Sequence, residues 1–215
     1  MSQELRKIEK SSKNKIYQGK FQPTGVTMKL LTIILIGFLA SFSTKAQSIF
    51  NLDKESGSVI VKGTSSLHDW EANAEKMEAT FTATLNEEGL IDSLSELVFT
   101  VDVNSIESGK GMMNGKIYSA FDSKKHPKIV FTLSEIKEIK QDSIFVTGVL
   151  AMAGEEQTVD LVVNYQIQED LSLKIAGSKT LLMTDYGMKP PKAMLGTLKT
   201  GDEVEIVFDV VFNKN

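Results

Sequence analysis

The sequence predicts a mainly β protein: a single antiparallel up-and-down barrel of about eight strands with one short helical insert. Three observations predict it. Val204, Ile206, Phe208, Val210 and Phe212 recur with a strict period of two, the signature of a strand with one buried face. Runs of the same kind recur from Val59 onward between short polar turns, so successive strands are expected to be antiparallel neighbours. One segment, Ser108 to Phe121, abandons that period for a helical one. Closing such a meander on itself removes its exposed edges.

In chain order, Val59 and Val61 lead into Gly63. Phe81, Ala83 and Leu85 then alternate with Thr80, Thr82 and Thr84 up to a turn at Glu87-Glu88-Gly89. Leu97, Phe99, Val101 and Val103 make the next run. Within the helical segment Met113, Ile117 and Phe121 fall at i, i+4 and i+8, one stripe of a short helix that faces and caps a barrel opening. Ile129, Phe131 and Leu133 resume the strand period. They are followed by Ile144 to Met152, by Val159 to Ile167, and by Leu171, Leu173 and Ile175 continuing to Met183. An irregular loop around Lys189-Pro190-Pro191-Lys192 precedes the final strand.

Charge divides the chain. Residues 1–46 hold eight Lys or Arg against two acidic residues, which leaves 16 basic and 26 acidic residues from Gln47 onward, a net of −10. The sole arginine is Arg6. An acidic domain without arginine lacks the phosphate-neutralising surface of a nucleic-acid binder, so no DNA or RNA partner is expected. The basic N-terminal part reads as targeting sequence. Met28-Lys29, the 13-residue run Leu30 to Phe42 and the small residues Thr44 and Ala46 form a signal peptide over 28–46, with cleavage expected near Ala46 and a periplasmic or secreted product. That run is too short for a spanning helix, which needs roughly 20 apolar residues. Residues 1–27 have no periodicity and read as a disordered or spurious extension. Residues 47–215 form one domain.

Catalytic groups are sparse. There is no cysteine, hence no disulfide, no thiolate nucleophile and no lipoprotein anchor, and there are only two histidines, His68 and His126. Ser65, Ser66, His68 and Asp69 supply the residue types of a hydrolase, but along one extended segment their side chains alternate in direction and do not converge on one atom. Two distant histidines with scattered carboxylates make no metal site. The reading is therefore of a non-enzyme with no catalytic residues, no metal and no cofactor, in which His68 is either a satisfied polar group pinning a turn or a contact for a ligand's polar end.

Several segments in order carry a family resemblance: Gly63-Thr64-Ser65-Ser66-Leu67-His68-Asp69-Trp70, Val103-Asn104-Ser105-Ile106, Phe121-Asp122 with Pro127, Ile129 and Phe131, Gly148-Val149-Leu150 with Met152-Ala153-Gly154 and Val159-Asp160-Leu161, and the C-terminal stretch from Met183 to Phe212. In these the chain resembles the YceI-like family, periplasmic proteins with lipocalin-like β-barrels that hold long isoprenoid lipids. Two features depart from the pattern: Glu155-Glu156-Gln157 replaces a more basic, Pro-containing turn, and Trp70 with Pro190-Pro191 suggests a distinct subgroup.

The resemblance implies a chamber for a long-chain isoprenoid lipid or quinone, carried without transformation. Phe99, Phe131 and Phe208 are expected to point into it, with Met113, Ile117 and Phe121 on the helix and Met152 and Met183 on strands. Tyr186, Met188, Met194 and Leu195 are expected in the loop opposite, and His68 and Trp70 at the polar end of the ligand. Methionine suits such a place because its unbranched, polarizable side chain reshapes around a flexible guest. Ordinary core filling explains Met152 and Met183 equally well. Membrane contact is expected to be transient at most, and a homodimer is left open. The alternative is a barrel with a filled core that serves as a structural or surface-interaction domain.

Overall fold

In the computed structural model, which describes residues 47–215, the first strand, β1 (Gln47–Ser65), lies antiparallel to the last, β11 (Leu198–Lys214), and so closes the sheet. Between them run β2 (Trp70–Ala74), β3 (Met77–Leu85), β4 (Ile91–Asp102), β5 (Ile106–Glu107), α1 (Gly111–Ala120), β6 (Lys128–Ile139), β7 (Ser143–Met152), β8 (Glu155–Ile167), β9 (Leu173–Leu182) and β10 (Lys192–Ala193). Eight of the strands make the barrel, in the order β11-β9-β8-β7-β6-β4-β3-β1. The short β2, β5 and β10 are additions at one end, and α1 is the one α-helix among the described residues. The expected signal peptide and N-terminal extension lie outside the described residues.

β1 is longer than its apolar pattern suggests. Its first residues, 47–51, pair with β3, and residues 60–63 pair with β2. Between them Leu52 faces Phe212 and Gly57 faces Val210, so five steps of β1 run against two of β11 and residues 53–56 bulge. Gly57 has φ +114°, and a Cβ there would stand 2.6 Å from the carbonyl oxygen of Asp209. The bulge hides the period: Phe50 and Leu52 are buried core residues that no alternation links to Val59. A smaller irregularity in β4 places Glu96 at φ 59°. The turn from β7 to β8 has Ala153 and Gly154 both at positive φ, as a tight type I′ hairpin requires.

Two expectations are corrected here. Leu171 does not belong to the strand before Met183: it sits at φ 66° in the turn that precedes β9, half-exposed. Met183 itself opens a 3-10 turn, Met183–Tyr186, after β9 has ended.

Inward side chains fall into two buried clusters. At the end called the base, Phe50 stacks on Phe81 with centroids 5.0 Å apart, and Phe212 meets Phe81 edge-on at 4.9 Å. Toward the mouth, Leu150, Met152, Leu181, Met183, Tyr186 and Val204 pack together. Phe121, Ile129, Phe131 and Ile206 touch both clusters and are only half-buried. Register puts Phe99 opposite Phe131, Phe131 opposite Leu150, and Phe208 opposite both Val59 and Gly177. Paired residues share a face of the sheet, so all three phenylalanines are on the buried, inward phase. They too are half-buried, and the rings of Phe131 and Phe208 lie on Gly148 and Gly177.

Candidate functional site

A cavity of about 300 Å3 occupies the mouth. Strand ends supply most of its wall: Val61 of β1, Trp70 and Ala72 of β2, Ile129 of β6, Met152 of β7, Leu181 of β9, and Val204 and Ile206 of β11. Met183, Met188 and Pro191 come from the segment between β9 and β10. α1 covers the opening with Met113, Ile117 and Phe121.

The helix is weakly helical by sequence. Gly111 and Gly115 lower its propensity, and Lys110 at its N-cap makes no side-chain cap. A polar clamp fixes it instead. Asn114, 8% exposed, accepts from the Ser108 N–H at 2.9 Å and the Ser108 hydroxyl at 2.6 Å, and its amide donates to Glu107. The Tyr118 hydroxyl donates to the other oxygen of Glu107 at 2.9 Å. Burial, and then this carboxylate, push the Tyr118 phenol above its ordinary value.

Across the mouth, the β1–β2 connection is a turn rather than the extended segment expected from sequence. Ser65 Oγ donates to the His68 carbonyl at 2.7 Å and accepts from the N–H of Leu67 and of His68. His68 Nδ1 lies 2.7 Å from the Asp69 carbonyl oxygen, which only accepts, so Nδ1 carries a proton and the neutral ring presents Nε2 as an acceptor. The Trp70 indole donates to the Thr64 carbonyl at 3.1 Å while its ring lies on Gly63.

The wall is almost wholly apolar. Its only ionisable side chains are His68, Lys110 and Lys116, and no Asp or Glu lines it. A paired acid and base for proton transfer is therefore not assembled there. Among the described residues no three His, Asp or Glu side chains are grouped to hold a metal ion. A second, open depression of about 660 Å3 shares His68, Trp70, Lys110 and Met113 with the cavity, and its far side carries Asp69, Glu71, Glu203 and Glu205.

Of the residues singled out from sequence, the cavity brings together Met113, Ile117, Phe121, Met152, Met183 and Met188 with His68 and Trp70. Phe99, Phe131 and Phe208 are not in its wall and belong to the half-buried band below. Tyr186 is 1% exposed inside the upper cluster, where burial raises its phenol above the ordinary value, and it does not reach the cavity. Leu195 stands fully exposed at the tip of the β10–β11 hairpin. The side chain of Met194 lies outside the described residues. Sequence reasoning missed Ala72, Leu181 and Ile206, although Leu181 and Ile206 continue the inward period of their strands.

Several solved structures share this architecture. Burkholderia cenocepacia BcnA matches at a TM-score of 0.63 and 21% identity, over 74% of this chain and 98% of its own. A polyisoprenoid binding domain from Saccharophagus degradans implicated in plant cell wall breakdown matches at 0.61 and 15%, over 77% and 98%. The Campylobacter jejuni YceI protein matches at 0.53 and 14%, over 67% and 84%. No curated protein matches the chain. The family model for the YceI-like domain matches residues 50–212, from the first barrel strand to the last, and the chain belongs to that family.

Proposed function

We propose that the domain binds one long apolar molecule, an isoprenoid lipid or isoprenoid quinone, and carries it outside the inner membrane without transforming it. The tail enters between α1 and the 183–191 segment and extends toward Phe131, Phe99 and Phe208, and its polar end stays beside His68 and Trp70. The observation that carries this reading is a mouth cavity of about 300 Å3 with no carboxylate in its wall, in a barrel whose inward aromatic side chains Phe99, Phe131 and Phe208 are only half-buried. That volume is at the lower end of the roughly 300–1,000 Å3 usual for ligand pockets. Each methylene taken from water adds about 0.8 kcal/mol, so a few isoprene units bind firmly with few polar contacts. His68 Nε2 suits the hydroxyl of a quinol or another donor at the polar end. The polyisoprenoid-binding neighbour supports the ligand class, and the family supports a periplasmic setting. A filled structural barrel is disfavoured by the same half-buried band.

Mass spectrometry of organic extracts tests the reading. Protein recovered from its own cell envelope is expected to yield an isoprenoid species at near one per chain. Ile117→Asp is expected to lose it, because the variant places a charge beside an apolar guest, and to lose it at temperatures where the barrel is still folded. Wild-type protein free of lipid, or equal lipid in both, would overturn the proposal.

A further inference from the structure

The three most exposed large apolar side chains among the described residues all stand at the mouth: Leu195 at 110% of its reference exposure, Met112 at 82% and Leu67 at 70%. They come from three segments far apart in sequence, yet the segments form one platform. The Ser66 N–H donates to the Lys199 carbonyl at 2.9 Å, and the Lys199 N–H donates to Ser66 Oγ at 3.1 Å, which ties the Leu67 turn to the start of β11. Lys199 pairs with Lys192 in the β10–β11 hairpin that ends in Leu195. Lys116 Nζ donates to the Lys192 carbonyl at 2.7 Å, which ties in the helix of Met112.

Charge singles out the same platform. Residues 108–120 and 187–201 carry five lysines and no Asp or Glu, whereas the rest of the chain from Gln47 has 11 lysines against 26 carboxylates. Two of the three protruding side chains, Met112 and Leu195, thus lie in the segments of an acidic domain that carry only positive charge, while Leu67 stands beside them. Asp69, Glu71, Glu203 and Glu205 border the rim on the side of the open depression, so the half bearing 187–201 leads.

We propose that this rim docks reversibly on an anionic lipid bilayer, with Leu67, Met112 and Leu195 dipping into the interface and the lysines against the headgroups. Separate protruding aliphatic side chains fit a lipid interface, which takes them up without shape complementarity. A protein partner is more often engaged through buried aromatic and arginine anchors, and this rim has no arginine and no exposed aromatic. Leu195 adds a second indication. It holds φ 55°, a left-handed conformation that disfavours leucine, and packs against nothing in the molecule that would reward it.

Vesicle sedimentation tests the surface independently of the cavity. The chain and its rim variants, all in the same processed form, are mixed with phosphatidylcholine vesicles with or without phosphatidylglycerol. Binding is expected only where phosphatidylglycerol is present, and it should fall with added salt. Each of Lys189→Ala, Lys192→Ala and Lys199→Ala should weaken it roughly fivefold. Leu195→Gly should weaken it about tenfold while leaving the melting temperature equal or higher, since it removes an apolar contact and a strained leucine together. Equal binding to both vesicle types, unchanged binding of the lysine variants and Leu195→Gly, or equally tight capture by polyglutamate without lipid would overturn the proposal. Vesicle binding by protein whose extract holds no isoprenoid would retire the cavity ligand and leave the docking surface standing; the converse result would do the opposite.

Discussion

The indole of Trp70 lies against Gly63, so closely that a Cβ on residue 63 would stand 2.7 Å from Trp70 Cε2. The glycine is there to admit the ring. In turn the ring closes the wall of the cavity and holds the Thr64 carbonyl with its N–H. Trp70 is also the one tryptophan in the sequence, so its fluorescence reports on this wall and on the open depression that shares it.

Titration with an isoprenoid quinone should therefore quench the emission saturably. Gly63→Ala should displace the ring, shift the emission of the free protein and weaken the quinone several-fold. Unchanged emission and affinity in Gly63→Ala would show that the ring does not depend on the glycine.

The two kinds of inward phenylalanine should differ in what they contribute. Phe81 is stacked, fully buried and sealed at the base, so Phe81→Ala should cost about 3–5 kcal/mol. Phe208 is only half-buried, with its ring on Gly177, and Phe208→Ala should cost clearly less. Urea denaturation of lipid-free protein measures both; equal losses would mean that the lumen is packed.

Removing the polar clamp of α1 should loosen the helix before it unfolds the barrel. Asn114→Ala leaves the Ser108 N–H without its partner and the Glu107 carboxylate with only its Tyr118 bond, at about 1–3 kcal/mol. Hydrogen exchange of amides in 111–120 should accelerate, while that of β7 stays slow. Uniform acceleration across both would argue against a separately anchored helix.

On the outer wall, Asp160 is held below the ordinary carboxylate value, chiefly by Lys137 at 2.8 Å and by the Thr147 hydroxyl at 2.6 Å. A carboxylate so held binds fewer protons in the folded than in the unfolded chain. Its stabilising contribution is complete above about pH 4 and is lost as pH falls below that value. Asp122 and Asp170 have the same sign. Melting temperature should be level near neutrality and decline below about pH 4. The decline should be shallower in Asp160→Asn; a steeper decline would reverse the assignment.

What the sequence disclosed follows from local regularity. β11 alternates from Val204 to Phe212, β7 reads as one apolar run from Ile144 to Met152, and the helical stripe of Met113, Ile117 and Phe121 emerged from spacing alone. β2 escaped notice because it is five residues long and pairs only with β1 and β5. The first half of β1 escaped because the bulge at 53–56 breaks the phase between Leu52 and Val59. Within the site, Met188 and Tyr186 are two residues apart and equally apolar in pattern, yet one lines the cavity and the other is sealed beneath it. That division depends on a 3-10 turn whose C-cap, Gly187, adopts φ 65°, a three-dimensional event with no periodic trace.

The pairing of β1 with β11 also has a kinetic consequence. Phe50 and Leu52 complete the base only when Phe212, some 160 residues later, reaches them, so the ring cannot close before almost the whole domain is available. Such a distant final contact raises the entropic barrier to folding and makes β-barrels slow to form. Until then the two seam strands remain open edges, exposed to pairing with other chains. That open seam is where misassembly would begin.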